Sequence, residues 1–418
     1  MKHRKKVEWT RLDNAAKIFP PTSNNKDTKV FRFVCELLEP VEPVILQQAL
    51  DKTIEYFPWY KSVLRKGAFW YFFESSNIRP IVDVESEPVC GRIYYENRRN
   101  LLFRVVYHKN RINFEAFHAL SDGAGALWFL KTLIYYYLVY RHEDELKDSK
   151  PKLDYSASKS QKMDDSFKKY YTGKIHRKRE FIDKAYKING TKRDEYRMLI
   201  IEGSMSAKAV LKVAHEHDTS LTVYLTALLM YSIYKGMPEK KKKHPVVLSV
   251  PVNMRNFFES ESARNFFSTI NISYNFSKNS TEFNDIVQSV SDSFKRELEE
   301  ERIKGHMERL IALEQNALIR IVPLPIKNII LRLSDRRNER GITSSISNVG
   351  KIAVPDELKS YIKHFAVYTS ARRPQITLCS YGDILTISFS SPLVETDIQK
   401  TFFKTLTEKG INVEIVSN

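Results

Sequence analysis

The sequence predicts an α/β protein built in two halves, on three observations. Apolar runs of period two alternate with runs of helical spacing from residue 29 onward. The 418 residues exceed what a single core usually organises. A polar, lysine-rich stretch at 142–194 separates two patterned regions. The chain therefore divides into an N-terminal part (1–141), a basic linker (142–194) carrying at most one solvated helix, and a C-terminal part (195–418).

In the first part, "KVFRFVCELLEP" (29–40) has strand periodicity and "PVILQQALDKTIEYFP" (43–58) has that of a helix. "AFWYFFES" (68–75) is aromatic and strand-like. Residues 101–119 form a hairpin turned by "HKNR", in which Ile112, Phe114, Ala116 and His118 share one face. From Ala124 the spacing becomes helical. In the second part, residues 195–203 are a strand, 206–218 a helix, and 219–236 a second helix with a Ser/Thr start and a Gly stop. A buried-type strand follows at 244–255, a helix at 281–303, a strand at 341–350 and a hairpin at 375–391 turned at Tyr381-Gly382-Asp383. The chain closes on an amphipathic helix. The apolar segment 318–333 is expected to pack against the second sheet rather than lean on a membrane.

Composition narrows the function classes. With 42% hydrophobic and 28% charged residues the chain is globular, and no apolar run is long and unbroken enough to span a bilayer. Cys35, Cys90 and Cys379 are too scattered for a disulfide framework or a zinc site, so a reducing, cytoplasmic location is expected and no metal. His215 and His217 lie near a helix end, where adjacent positions do not share a face, which argues against a metal pair. A net charge of +17 points to anionic partners. Nucleic acid is disfavoured, because no helix-turn-helix, zinc finger or RNP-type segment is present.

The motif that carries chemistry is "HALSDG", in which His118 ends a strand, Asp122 follows four residues later and Gly123 opens a helix. Asp122 has the character of a helix cap and Gly123 that of a tight-turn residue. A histidine at a strand end also suits a general base, and a buried carboxylate four residues on needs a partner such as arginine.

"HALSDG" resembles the His-x-x-x-Asp-Gly motif of the chloramphenicol-acetyltransferase-like acyltransferases, which include plant BAHD acyltransferases, condensation domains of peptide synthetases and alcohol acetyltransferases. "PVNMR" (251–255) is similar to the superfamily's Pro-Val-x-x-Arg segment and "SNVG" (347–350) to its later Ser-Asn-x-Gly turn. The likeness extends over most of the chain and is nearest the bacterial alcohol-acetyltransferase-like subgroup. Two features depart from related branches: Phe117 stands where many members carry a second histidine, and the BAHD Asp-Phe-Gly-Trp-Gly motif is absent.

The resemblance implies two chloramphenicol-acetyltransferase-like subdomains, each a two-layer α+β sandwich, with an active-site tunnel at their interface. It implies His118 as the general base, Asp122 as a structural carboxylate paired with Arg255, and Gly123 as the residue that lets the loop pack closely. Ser347 and Asn348 would lie beside the tunnel, where one could serve the oxyanion. The implied reaction is acyl transfer from an acyl-CoA thioester to an alcohol, with no permanently bound cofactor and no covalent acyl-enzyme, by a chain expected to be monomeric. The alternatives are an acidic acyl carrier protein as donor, an amine as acceptor, or a non-catalytic binding module of the same fold. Membrane contact is expected if the acceptor is a lipid. From charge alone, Arg372 and Arg373 are candidates to meet the CoA nucleotide.

Overall fold

The computed structural model describes residues 8–147, 166–173, 184–194 and 197–418. Much of the 142–194 linker therefore lies outside the described residues. Of its described part, Ser166–Lys169 is one helical turn in which Phe167 is buried against Phe266, at 5.2 Å between ring centroids, and Lys169 is exposed.

The first half begins with β1 (Trp9–Arg11), β2 (Val30–Leu37), β3 (Ser62–Lys66), β4 (Tyr71–Ser75), β5 (Val82–Val84), β6 (Phe103–His108) and β7 (Arg111–Phe117). The helix Pro43–Tyr56 lies between β2 and β3, and the helix Gly123–Arg141 follows β7. The second half contributes β8 (Leu199–Ser206), β9 (Val246–Asn253), β10 (Phe267–Tyr274), β11 (Ser344–Lys351), β12 (Ile362–Thr369), β13 (Gln375–Tyr381), β14 (Ile384–Ser391) and β15 (Glu414–Ser417). Its main helices are Ala207–Glu216, Leu221–Lys235, Phe283–Glu297, Glu300–Gln315, Leu324–Arg340 and Asp397–Glu408.

Two large sheets organise these elements. One runs β12-β2-β7-β6-β5 and the other β10-β9-β11-β13-β14-β8-β15, while β1, β4 and β3 form a small third sheet. Each large sheet builds its own core, and the first is covered by the paired helices Pro43–Tyr56 and Gly123–Arg141. The molecule is thus a mixed α/β structure of two subdomains. The boundary between residues 141 and 195 does not separate the sheets, however. β12 crosses back and pairs antiparallel with β2, from Ile362 opposite Leu37 to Thr369 opposite Phe31. Its segment "YIKHFAVYT" carries Lys363 and His364 among apolar residues, which hides the strand's period in the sequence.

β2 is buried along its whole length although it contains Arg32 and Glu36. Both charges are matched by neighbouring segments of the fold: Arg32 donates to Glu115 and to Glu85, and Glu36 accepts from Arg111 and Lys363. Three expectations are corrected here. The stretch 281–303 is two helices, broken at Leu298–Glu299, because Glu299 adopts an extended ψ of 129° and starts the second helix. The last helix is not the end of the chain, since β15 adds an outer strand to β8. Finally, the segment 318–333 does not bury its apolar residues against the second sheet, and Ile326, Ile329, Ile330 and Leu333 remain exposed.

Candidate active site

β7 delivers His118 to the point where the first half meets the 254–266 segment of the second. The His118 N–H donates to the Lys29 carbonyl at 2.8 Å, which extends the β2–β7 ladder by one rung and fixes the direction of the side chain. Lys29 adopts a left-handed φ of 57° to present that carbonyl. The half-buried imidazole stacks on Phe19 at 4.5 Å between centroids, with Phe31 at 5.0 Å and Phe267 at 5.4 Å around it. Burial among these rings pushes the His118 pKa below the ordinary histidine range, and the nearby Asp122 opposes that shift only in part. The ring is therefore held in its neutral, proton-accepting form near neutral pH.

Its tautomer follows from Asn265. The amide Nδ2 faces two acceptors, Asp13 Oδ2 at 3.3 Å and the Ala119 carbonyl at 3.4 Å. This orients Asn265 Oδ1 towards His118 Nδ1, 3.3 Å away. An acceptor there calls for a proton on Nδ1, so the lone pair lies on Nε2. Asn265 is 147 positions from His118 and was not singled out in the sequence. A signal existed: "RNFF" occurs twice, at 255–258 and 264–267. The first copy supplies Arg255 and the second supplies Asn265 and Phe267.

Asp122 caps the Gly123–Arg141 helix, its Oδ1 accepting from the Gly125 N–H at 2.9 Å. Its Oδ2 accepts from Arg255 Nη1 and from the Phe266 N–H, both at 2.8 Å. The Arg255 guanidinium also donates to the carbonyls of Ser262 at 2.6 Å and Arg264 at 2.7 Å, and lies over the Trp128 ring at 5.3 Å. Both carboxylate oxygens of Asp122 are thus engaged, Oδ1 in capping its own helix and Oδ2 in joining the two halves. This arrangement suits a structural carboxylate and leaves His118 to Asn265.

Close packing, the role expected of Gly123, is not what the structure shows at this position. A Cβ built there meets nothing within 4 Å, so close packing does not require glycine at this position. The close approach occurs at Gly125, where a Cβ would lie 2.0 Å from the Ala263 carbonyl oxygen and 2.4 Å from Ser121 Oγ. The Ser121 hydroxyl donates to that same carbonyl at 2.6 Å.

Ser347 and Asn348 lie on β11, parallel to β13. Asn348 is exposed, its amide donating to Thr222 Oγ1 at 2.9 Å while its oxygen accepts from the Gly350 N–H at 2.8 Å. Arg372 and Arg373 are bound to carboxylates, Arg372 to Asp27 and Asp335 at 2.9 Å each and Arg373 to Glu339, so their charges are largely matched within the protein. Next to Phe19, Pro21 and Thr22 border an open cleft of about 780 Å³ whose walls include Lys26, Arg92, Lys192, Arg332 and Arg336. Among the described residues no group of three His, Cys, Asp or Glu side chains could hold a metal ion, and no helix is long and apolar enough to cross a membrane.

Solved structures share this architecture. The trichothecene 15-O-acetyltransferase TRI3 from Fusarium sporotrichioides superposes with a TM-score of 0.63 at 9% identity, covering 98% of this chain and 97% of that one. TRI101 from F. sporotrichioides, solved with coenzyme A and T-2, gives 0.62 at 11% identity, covering 98% and 99%. The first condensation domain of the calcium-dependent antibiotic synthetase gives 0.58 at 12% identity, covering 94% and 93%. No curated protein sequence matches. The sequence profile of the alcohol acetyltransferase family matches residues 99–371, which include His118, Asp122, Arg255 and Asn265. On that match, and on a fold shared with acetyltransferases and condensation domains, the chain belongs to the alcohol acetyltransferase family of acyltransferases.

Proposed function

We propose that the protein transfers an acyl group from coenzyme A to the hydroxyl of an alcohol, with His118 as general base and no acyl-enzyme. The observation that carries this reading is the state of the imidazole: neutral through burial, with Nδ1 facing an acceptor and Nε2 left as the basic atom. In the proposed step Nε2 takes the hydroxyl proton as the alcohol oxygen attacks the thioester carbonyl. Collapse of the tetrahedral intermediate breaks the C–S bond, and the departing thiolate recovers that proton from the imidazolium. The ring ends as it began. Asp122, Arg255 and Asn265 act by position, holding the two halves and the ring in register.

The cationic cleft beside Phe19 supports a phosphate-bearing donor, since Arg92, Lys192, Arg332 and Arg336 stand along its walls. A carrier protein would present the same phosphopantetheine thioester, so both donors belong in the test. With the Asn348 amide engaged, Ser347 is the residue of that turn to examine as an oxyanion donor.

The test is thiol release from acyl-CoA donors of graded length, and from an acyl carrier protein, with mixed alcohols and amines. Wild type should release thiol only with an acceptor present. His118→Ala should lose about 10²–10⁴-fold in turnover while keeping its circular dichroism spectrum. Acceptor-dependent turnover that survives in folded His118→Ala would sink the assignment.

A further inference from the structure

The helix Leu324–Arg340 presents one face to the protein and an unusual one to solvent. Leu324 and Asn328 are buried, Asn328 Nδ2 donating to the Tyr71 hydroxyl at 2.9 Å. Asp335 and Glu339 also turn inward, to Arg372 and Arg373. The outer face carries Ile326, Ile329, Ile330 and Leu333, each 50–57% exposed. Positions 337 and 340 continue that line after further turns, and both are exposed arginines, with Arg336 beside them. The outward surface therefore has an apolar end and a cationic end, while both of the helix's carboxylates are withdrawn from it.

The patch extends beyond the helix. Ile321, just before it, is 68% exposed, and Phe69 and Trp70 are exposed on the loop that holds the helix start. The Leu324 N–H donates to the Ala68 carbonyl at 2.8 Å, and Lys327 Nζ donates to the Phe69 carbonyl at 2.9 Å. Isoleucine, leucine, phenylalanine and tryptophan beside arginines, without outward carboxylates, is the composition of a helix that lies in the headgroup region of an anionic bilayer. A second copy of the chain is a poorer occupant, because a self-contact here would bury the arginines of both copies with no outward carboxylate to match them.

We propose that the Leu324–Arg340 helix, with the Phe69–Trp70 loop, docks the protein on anionic lipid surfaces. The helix also touches the catalytic half: Arg332 Nε donates to the Pro21 carbonyl at 2.7 Å, two residues from Phe19, which stacks on His118. Docking would hold that side of the site at the membrane. The inference concerns binding, and stands or falls separately from the acyl-transfer chemistry.

The experiment is co-sedimentation of the full chain with vesicles of phosphatidylcholine alone or mixed with phosphatidylglycerol, at low and high salt. Wild type should bind the mixed vesicles and release in high salt. Ile329→Glu/Ile330→Glu should weaken binding at least about tenfold. Arg337→Gln/Arg340→Gln should weaken it about 25-fold, roughly fivefold per arginine. Ile81→Glu, at an exposed apolar position elsewhere, should bind like wild type. Thermal melts establish that each variant is folded. The proposal fails if wild type ignores mixed vesicles or if the isoleucine variant binds as well as wild type. It also fails if the isoleucine variant abolishes self-association by sedimentation velocity in a chain that does not bind lipid, which would assign the face to a second copy.

Discussion

Replacing Asp122 by asparagine preserves the shape of the side chain and removes its charge at the junction of the two halves. In the native carboxylate, Oδ1 accepts from Gly125 and Oδ2 from both Arg255 and Phe266, at 2.8–2.9 Å. Asparagine has one acceptor for these three donors. With its oxygen towards Arg255 and Phe266, its NH₂ faces the Gly125 N–H and the helix cap is lost, at about 1 kcal/mol. Arg255 keeps its carbonyl partners but loses its counter-charge in a pair whose side chains are only 8% and 5% exposed. Breaking a buried pair from one side costs about 3–5 kcal/mol. The expected loss of unfolding free energy for Asp122→Asn is therefore about 4 kcal/mol, taking the cap as part of that range. Urea denaturation followed by fluorescence measures it, and thiol release reports the accompanying loss of activity. Arg255→Ala should produce a similar loss, and the double variant little more than either single one. A loss below about 1 kcal/mol would put this pair with surface ion pairs and refute the clamp. Additivity of the two single variants within about 0.5 kcal/mol would refute their coupling.

Four further outcomes are expected. Gly125→Ala should destabilise by about 1–3 kcal/mol or more through overpacking against Ala263 and Ser121, whereas Gly123→Ala should be neutral or stabilise by up to about 1 kcal/mol; equal thermal melts for the two variants would contradict this reading. Asn265→Ala should lower kcat about tenfold by removing the acceptor facing Nδ1, with little change in KM, and a pure KM effect would place Asn265 in substrate binding instead. Because the His118 pKa is depressed, the neutral base persists into mild acid and the acid limb of kcat/KM should lie below about pH 6.5. The same shift means the unfolded chain takes up that proton at higher pH. The stability it contributes is thus full above the unfolded pKa and lost as pH falls through the folded one, a dependence His118→Phe should flatten in denaturant titrations across mild acid.

The sequence determined the local parts of this protein. Strand periodicity within 29–40 and in the 101–119 hairpin, helical spacing from Ala124 and an aspartate at the helix start are nearest-neighbour properties, and the structure carries them as β2, β6 and β7 and a helix capped by Asp122. Whether Asp122 meets Arg255, 133 residues away, could be expected only from resemblance, because no local rule connects such positions. Asn265 and the aromatic wall around His118 depend on the same crossing of the 254–266 segment and on Phe19, which carries no motif. The close approach at Gly125 rather than Gly123 was equally hidden, since a backbone carbonyl from Ala263 creates it. Periodicity likewise showed that 318–333 has an apolar face but not what covers it. Burial is a property of neighbours, and only the tertiary structure revealed that Ile326, Ile329, Ile330 and Leu333 stay at least half exposed among the described residues.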